Sequence, residues 1–565
     1  MPSTINQQVF EGERQMAVVL DSVEAIPSSE ANPGQALGEA IKSHMPEALG
    51  SLLERVGGDS ELVLDSVVEG VRAYQDAHGR MPDAGLMRAG IQQFGAHMVG
   101  FAADASGGFT PVLDSVATSS TSETTSLQVN RAITSMLGLF ESAIPFAAYL
   151  PFDIGSNQAL LAIMTHTANS SIGGYTAGDM LNGSRLGRPY GSNSRAVRFP
   201  TLIPAPVTLK CTARNNAAGT SGDAFGSFCD QSLPGVPINR GQTIITVNGL
   251  VAAEEGSNAN GATSPMSGTI KLGSVEYTIS AATTPDAGTV TINSIVPDLP
   301  AGAVVEAEVF INYTKAPGLT PEVGINVQTW RLTASTERIL TSTDIDAQTQ
   351  LIRELNIDAA SQQLRAARSQ LSMERYFRAL NMAYAVSSNT VLTHDFDMAG
   401  RGGALLRNQI WQDFGPTLSA ASQLIAEKTM DYGAGFSYVD RRVTAELQGL
   451  PSTMFQQSGQ RPSAGIWRVG RLMNMVDVYS IPDGTGMLTG DPAAGVHEML
   501  LIGRGSDPGR APVVLGDAVP TMLMDLAVNK DFVTSRGMYA RNFTRRNPHE
   551  QSALGCARIN ITGLV

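Results

Sequence analysis

An unbroken helical pattern near the middle of the chain constrains the fold more than any other feature. Residues 357–386 read IDAASQQLRAARSQLSMERYFRALNMAYAV, and Asn356 stands where an N-cap is expected. A helix of about 30 residues is roughly 45 Å long at 1.5 Å per residue. One narrow apolar stripe with polar flanks predicts a strut that packs on a sheet on one side and on neighbours on the other. The stripe consists of Ile357, Ala360, Leu364, Ala367 and Leu371, then Met373, Phe377, Leu380 and Tyr384.

A block with a different composition precedes this helix, at 201–325. Its runs are rich in Val, Ile and Thr and are separated by turn residues, a pattern that predicts a small β-sandwich or barrel. No arginine occurs between Arg240 and Arg331, so the block also differs in charge. We therefore expect an inserted β domain at about 235–320. The predicted strands are 243–251, 268–280, 288–296 and 303–314.

The first 118 residues have the pattern of short amphipathic helices, for example Gly34–Val56 and Asp59–Ala77. The string VLDSV occurs three times, at spacings of 44 and 49 residues that are too uneven for a structural repeat. Up to residue 130 the chain carries 6 basic and 17 acidic side chains, so most of the net charge of −13 lies there. Such an acidic region cannot neutralise phosphate charges, so we do not expect it to bind nucleic acid. It suits docking on a basic partner or repulsion between neighbouring copies.

The remaining segments have weaker patterns. The Ser/Thr run at 118–126 predicts a linker, 129–150 is apolar and helical, and Gly- and Asn-rich extended chain runs on to about residue 200. So much irregular chain is unusual within a compact monomer, and we expect it to lie along a neighbour. Residues 391–565 have an α/β pattern, with a helix after Pro416 and strands at 466–481, 497–503, 532–544 and 557–565.

The charge content favours self-association. Only 16% of the residues are charged, against about 25% in an average domain. Another protein can cover a surface with few charges without burying unpaired charged side chains. No apolar run approaches the ~18 residues of a membrane span, and the N-terminus lacks a secretory signal. We therefore expect a soluble protein that folds in a cytoplasm.

Motifs that would indicate enzyme chemistry are missing. No glycine precedes a lysine, which excludes a P-loop, and no GxSxG elbow occurs. His497-Glu498 lacks the second histidine of a zinc protease, and the cluster from His394 to Asp397 is expected to be a turn or cap. We predict no catalytic, cofactor-binding or metal-binding residues. We expect Cys211, Cys229 and Cys556 to stay reduced in a cytosol. We expect the glycine-rich pieces at 400–406, 484–491 and 503–509 to be turns. We expect Arg541, Arg545 and Arg546 to form ion pairs between subunits.

The segment at 328–386, which begins QTWRLTASTERIL, resembles the major capsid proteins of large contractile-tailed bacteriophages, the T-even-like branch of the Hong Kong 97 type capsid fold. In that family an extended strand returns from the E-loop, passes through a Thr/Ala/Ser-rich turn and a short helix, and enters the long spine helix of the P-domain. Trp330–Leu332, Thr333–Arg338 and Ile357–Val386 would take these three parts.

The resemblance implies an α+β capsid fold with an inserted β-sandwich-like domain and an acidic helical N-terminal region. The implied parts are an acidic delta-like segment or extended arm at 1–118, an N-arm at 119–200, an E-loop region with its insertion at 201–330, the spine helix of the P-domain at 331–390, and an A-domain with returning P-domain strands at 391–565. Members with a delta segment usually lose it to a maturation protease. With only six lysines, the isopeptide crosslinks of some members are not carried over.

The function that the resemblance implies is structural: copies assemble into hexamers and pentamers of an icosahedral head around double-stranded DNA, without specific DNA binding. The implied partners are the protein itself and portal, scaffolding and cement or decoration proteins, and no membrane. The protein would be a virion component assembled in the host bacterial cytoplasm, with the β insertion facing outward. A capsid vertex protein or encapsulin-like compartment of the same fold, a carbohydrate-binding adhesin built on the β domain, and an unrecognised enzyme remain alternatives.

Overall fold

A computed structural model gives the structure of the chain. It describes residues 2–564 except 28–29, 31, 43, 57–59, 103–132, 134–135, 138, 141–142, 151, 154–157, 182–187, 201–205, 218–222, 224–225, 257–260, 345–349, 351–358, 402–404, 484–485, 489–494, 508 and 526–532. The protein mixes helices and strands, as expected. It forms two compact units: unit 1 comprises 1–163 with 328–565, and unit 2 comprises 164–327.

The α-helices of the described residues are α1 (Pro2–Ala25), α2 (Pro33–Ile41), α3 (Glu47–Val56), α4 (Ser60–His78), α5 (Ala84–Ala102), α6 (Ala359–Ser387), α7 (Met398–Arg401), α8 (Arg407–Gln412), α9 (Phe414–Thr429), α10 (Arg441–Gln448) and α11 (Glu550–Ala553). The strands of unit 1 or at its junctions with unit 2 are β1 (Ala148–Tyr149), β2 (Phe152–Asp153), β3 (Gln158–Ala168), β12 (Val323–Thr333), β13 (Ser335–Asp344), β14 (Val391–Asp395), β15 (Ala434–Val439), β16 (Phe455–Gln457), β17 (Trp467–Leu472), β18 (Val476–Ser480), β19 (His497–Gly503), β20 (Val513–Asp525), β21 (Val533–Arg546) and β22 (Cys556–Thr562). The other strands of unit 2 are β4 (Ser194–Phe199), β5 (Val207–Lys210), β6 (Ile244–Val247), β7 (Leu250–Glu254), β8 (Ser264–Leu272), β9 (Val275–Thr284), β10 (Thr289–Val296) and β11 (Val305–Phe310).

The N-terminal helices pack in pairs, α1 on α5 and α2 on α4. The segment 34–56, expected to be one amphipathic stretch, is divided between α2 and α3 because Pro46 disfavours helical backbone at the residue before it. The carboxylate of Asp65, on α4, accepts a hydrogen bond from the amide of Gly34 at the start of α2. Two copies of VLDSV lie in α1 and α4, with their valines buried. The third copy, at 112–116, and the linker at 118–126 lie outside the described residues.

The predicted long helix is present as α6, which ends one residue later than expected; its first two predicted residues, 357 and 358, lie outside the described residues. It contacts β13, β20 and β21 of a four-stranded sheet with the order β1-β20-β21-β13. Arg375 of the helix forms an ion pair with Asp517 of β20 at 2.8 Å. Tyr376, Ala379 and Leu380 are buried in a core shared with the N-terminal helices. The short helix expected from Ser342 or Thr343 to Leu355 does not begin there, because β13 continues to Asp344; residues 345–349 and 351–358 lie outside the described residues.

A seven-stranded sheet forms the C-terminal part of unit 1, in the order β14-β22-β19-β15-β18-β17-β16. The pairs β14–β22 and β15–β18 are parallel, and the others are antiparallel. Helix α9 contacts β14, β15, β19 and β22. All seven residues of β19 are buried, including His497 and Glu498, and the apolar run at 499–502 is typical of a strand covered on both faces.

Unit 2 contains two four-stranded sheets, in the orders β5-β10-β9-β8 and β4-β11-β6-β7, that share one apolar core. The run predicted as one strand at 243–251 is a hairpin, since Asn248 and Gly249 both adopt positive φ in a tight turn between β6 and β7. The unit begins at residue 164, earlier than the expected insertion. The reason is that β4, within the stretch expected to be an irregular arm, pairs with β11 along its whole length.

Candidate functional site

The acidic N-terminal helices dock on the C-terminal part of unit 1 at the end of α4. Gly79 follows α4 with a φ of +67°, a conformation that glycine adopts freely. A side chain there would collide with the guanidinium of Arg468, which occupies the space next to the Gly79 Cα atom. One residue earlier, the ring nitrogen Nδ1 of His78 lies 3.1 Å from the hydroxyl of Tyr479. Burial, together with the charges of Arg80 and Arg468, lowers the pKa of His78 to about 4, so the imidazole is neutral at pH 7.

A buried carboxylate accepts two guanidinium groups at this contact. Asp477 of β18 forms an ion pair with Arg80, which follows α4, and accepts a hydrogen bond from Arg468 at 2.9 Å. The Arg80 guanidinium also lies 4.1 Å from the centre of the Phe436 ring, a cation–π geometry. The Asp477 side chain is almost fully buried, and its charge is balanced by two cations, one from each side of the contact.

Further polar contacts extend the docking surface. Arg504 forms an ion pair with Asp83 at the start of α5 and donates a hydrogen bond to the Pro145 carbonyl at 3.1 Å. The side-chain amide of Gln460 donates to the Asp76 and Ala77 carbonyls at 2.9 and 3.1 Å, which satisfies acceptors at the C-terminal end of α4. One carboxylate of the acidic region, Asp83, thus has its basic partner, Arg504, in the same chain.

The Phe140 side chain packs against two helices of the same region, α4 and α5. A Cβ atom on Gly70 of α4 would lie 2.8 Å from the Phe140 ring, and one on Gly90 of α5 would lie 3.3 Å from it. The ring is 1% exposed. Two glycines on adjacent helices therefore form a notch that accepts an aromatic side chain from the segment after the linker.

A second polar cluster joins the end of α6 to the seven-stranded sheet. The Tyr384 hydroxyl donates a hydrogen bond to Glu498 Oε2 at 2.7 Å, and Arg558 Nη1 donates to the same hydroxyl at 2.6 Å. Arg558 also lies 3.3 Å from Glu498 Oε1. Burial and the Glu498 carboxylate raise the pKa of Tyr384, which keeps its hydroxyl as a donor. The motif analysis singled out Glu498 only as part of a failed zinc pattern, because its partners lie 60 and 114 residues away.

The cluster from His394 to Asp397 lies at the end of β14 and leads into α7, whose first turn Asp397 caps. Asp395 accepts the amide of Asp397 at 3.1 Å, and Asp397 accepts the amide of Gly400 at 3.2 Å. His394 Nδ1 lies 3.0 Å from the Thr417 hydroxyl, and burial lowers the pKa of this histidine. The side chains therefore serve the local backbone, in agreement with the expected turn or cap.

His497 is buried beside Asp440, with 2.5 Å between Nδ1 and Oδ2. Asp440 also caps α10, since its other oxygen accepts the amide of Val443 at 2.8 Å. Sequence analysis did not identify this pair, which joins the ends of two strands of the same sheet. Both carboxylate oxygens are engaged within the protein, so we assign the pair a structural role.

The structure shows contacts of Arg546, at the arginine-rich end of β21, and of the glycine-rich piece at 503–509. Arg546 lines a groove of about 660 Å³ along α6, together with Met373, Phe377 and Arg378. In the piece at 503–509, Gly505 donates to the Arg510 carbonyl at 2.7 Å, as a turn requires. The contacts that Arg541 and Arg545 make with other subunits stay a prediction. The pieces at 400–406 and 484–491 are only partly within the described residues.

No three His, Cys, Asp or Glu side chains of the described residues are grouped so that they could hold a metal ion. No helix within this part of the chain is long and apolar enough to cross a membrane.

No protein-family model and no curated protein matches this sequence. Among solved structures, the chain is similar to the capsid of the jumbo bacteriophage PhiKZ, with 9% identity, a TM-score of 0.36, and coverage of 74% of this chain and 92% of that chain. It is also similar to the capsid of the Myoviridae phage XM1, with 9% identity, a TM-score of 0.27, and coverage of 58% and 90%. A third similarity is to the SrpI encapsulin of Synechococcus elongatus, with 11% identity, a TM-score of 0.28, and coverage of 43% and 79%. Because these TM-scores are low, we argue the function from the chain's own elements.

Proposed function

We propose that this chain is a shell-forming structural protein, the major capsid protein of a contractile-tailed bacteriophage. The observation that carries the proposal is the order of its elements. The extended strands β12 and β13 precede the long helix α6, which lies on a four-stranded sheet, and an α/β region with a seven-stranded sheet follows. That order matches the returning strand, spine helix and A-domain of the capsid family that residues 328–386 resemble.

The strands before α6 support the proposal because they are edge strands with exposed apolar side chains. Strand β13 is the last strand of its sheet, and β12 is the last strand of a three-stranded sheet, β12-β3-β2. Leu340 of β13 is 65% exposed, and Val323 and Ile325 of β12 are 60% and 65% exposed. Soluble monomers usually protect such edges, and exposed apolar patches mark protein contact sites. The low charged fraction of the whole chain is consistent with extensive protein contact.

The finer assignments belong to the same proposal. Copies form hexamers and pentamers that close around double-stranded DNA without binding it specifically, in a particle of the T-even-like branch. The boundaries at 118, 200, 330 and 390 divide the delta-like region, N-arm, E-loop region, P-domain and A-domain. Portal, scaffolding and cement proteins are the expected partners, the virion is the destination, and assembly takes place in the host cytoplasm. We propose no enzymatic activity.

Electron microscopy of the purified full-length protein tests the proposal. Closed shells or capsomer sheets are the expected result, and Leu340→Lys should abolish them by placing a charge on the exposed edge of β13. Leu62→Lys is the matched control, since Leu62 is an exposed leucine, 47% accessible, on the N-terminal helix α4. A monodisperse monomer across salt and protein concentration would contradict the proposal. Glycan binding by such a monomer would favour the adhesin alternative.

A further inference from the structure

Two of the three cysteines lie side by side in the core of unit 2. Cys211 and Cys229 are 0% and 2% exposed. The Cys211 thiol forms a hydrogen bond with the Cys229 sulfur. The same sulfur accepts the amide of Thr212, the residue after Cys211, at 3.5 Å. The two sulfur atoms are therefore neighbours, although both cysteines are free thiols in this structure.

The backbone holds the two cysteines on different sheets of the unit. Cys211 directly follows β5, and its amide donates to the Gly288 carbonyl at 2.7 Å, beside β10 of the same sheet. The Cys229 amide donates to the Ala196 carbonyl, on β4 of the other sheet, at 2.9 Å. A bond between the sulfur atoms would connect the two sheets that share the core.

A buried cation lies next to this pair. The Arg195 side chain, on β4, is 1% exposed. Its Nη1 atom donates to the Ser192 and Ser194 carbonyls, each at 2.7 Å. Its Nε and Nη2 atoms have no hydrogen-bond partner in the described part of the chain. An isolated buried charge is costly, and a nearby anion offsets that cost.

The thiol that can provide this anion is Cys229. The hydrogen bond from Cys211 lowers the pKa of Cys229, the Thr212 backbone and the Arg195 charge act in the same direction, and burial opposes them. The same hydrogen bond and burial raise the pKa of Cys211. The contact thus favours the thiolate at Cys229 and the thiol at Cys211, the arrangement of the attacking and resolving cysteines of a redox site.

We propose that Cys211 and Cys229 form an oxidisable dithiol site that hydrogen peroxide converts into a disulfide, with Arg195 as a positioning residue. The Cys229 thiolate attacks one peroxide oxygen, the O–O bond breaks, and the products are a sulfenic acid at Cys229 and hydroxide, which takes up a proton. The Cys211 sulfur then attacks the Cys229 sulfur, and the S–O bond breaks. The Cys211 proton leaves with the oxygen as water. Two thiols and one peroxide thus give one disulfide and two waters.

Cys556 provides an internal control. It belongs to unit 1, is 1% exposed, and burial raises the pKa of its thiol. A thiol without thiolate character reacts slowly with peroxide. Cys556 is as buried as Cys211 and Cys229. A difference in reactivity with peroxide between Cys556 and the pair therefore measures the contribution of the paired sulfur and of Arg195.

The test is peroxide treatment of the folded full-length protein, followed by alkylation and mass spectrometry of non-reduced peptides. The expected product is a Cys211–Cys229 crosslink, lighter by two hydrogen atoms, with Cys556 alkylated as a free thiol. In Cys211→Ser, a sulfenic acid reagent should label Cys229, whereas in Cys229→Ser it should not label Cys211. Arg195→Gln should raise the pH at which Cys229 alkylation is half-maximal, and Arg195→Lys should restore it.

Three results would overturn the proposal: equal oxidation of all three cysteines, a crosslink that includes Cys556, or formation of the crosslink only after unfolding. Thermal unfolding of each variant shows whether it is folded before oxidation. If Arg195→Gln does not fold, Arg195→Lys and the two serine variants still decide the outcome. The site does not depend on the proposed function, because the crosslink can be measured whether or not shells form.

Discussion

The imidazole of His78 and the hydroxyl of Tyr479 meet at 3.1 Å although 401 residues separate them in the chain. His78 ends the fourth helix of the acidic region, and Tyr479 lies in the middle of the seven-stranded sheet. Both side chains are buried, and Arg80, Arg468 and Asp477 are the charged groups that affect the pKa of the imidazole. This contact makes the N-terminal helices part of one core with the C-terminal sheet.

Acid should weaken this contact. The pKa of His78 is lowered from 6.5 to about 4 in the folded protein. The contribution of the neutral imidazole to the free energy of unfolding is therefore fully present above about pH 6.5 and is lost as the pH falls through 4. The full loss corresponds to about 3 kcal/mol. Hydrogen exchange of α4 between pH 7 and 4 measures it, and His78→Gln should show a smaller acid-dependent increase in exchange. Equal pH dependence in both proteins would show that another group controls the docking.

The unsubstituted protein must be compared with His78→Gln because His549 also has a pKa lowered to about 4 by burial. His549 therefore titrates over the same pH range as His78. His549 lies next to Ser552 of α11, with 2.8 Å between its Nδ1 atom and the Ser552 hydroxyl. Its contribution should therefore appear in the exchange of β22 and α11 and remain unchanged in His78→Gln.

The glycine notch around Phe140 should be sensitive to a single methyl group. Gly70→Ala would place a Cβ atom 2.8 Å from the ring, and we expect a net destabilisation of about 1 kcal/mol despite the better helix propensity of alanine. Gly90→Ala, with its Cβ atom at 3.3 Å, should be close to neutral. Urea unfolding of the full chain gives both values. Combining Gly70→Ala with Phe140→Leu should recover part of the loss, and strict additivity would contradict the notch.

The cluster around Glu498 should respond strongly to the loss of its cation. Arg558→Met leaves a buried carboxylate without its ion pair and should cost about 3 kcal/mol in unfolding free energy. Tyr384→Phe removes one hydrogen bond to the same carboxylate and should cost about 1 kcal/mol. Arg441→Met is the control, because the Arg441–Asp483 pair is exposed and such pairs contribute about 0–1 kcal/mol. If Arg558→Met and Arg441→Met cost the same, the cluster is not an anchor for α6.

Local patterns in the sequence predicted several elements closely. The helix at 357–386 corresponds to α6, the strand predicted at 497–503 corresponds to β19 without a shift, and 288–296 corresponds to β10 within one residue. These predictions depend only on the spacing of apolar side chains and on turn residues, which neighbouring residues determine. Strand β20 was missed because Pro520 interrupts it, and its pairing with β21 shifts register on either side of that proline.

The residues of the candidate sites were not predictable in the same way. Asp477, Arg468, Tyr384 and Arg558 belong to segments with ordinary patterns, and nothing in those patterns identifies their partners, which lie between 9 and 397 residues away. The sequence by itself determined where the chain is helical or extended, where its charge lies and which common catalytic motifs it lacks. Only the tertiary structure decided that the acidic helices pack on the body, that β4 belongs to unit 2 and that Cys211 meets Cys229. The physical reason is that periodicity records which face of an element is buried, whereas the partner of a buried polar group is fixed by packing between segments that are distant in the chain.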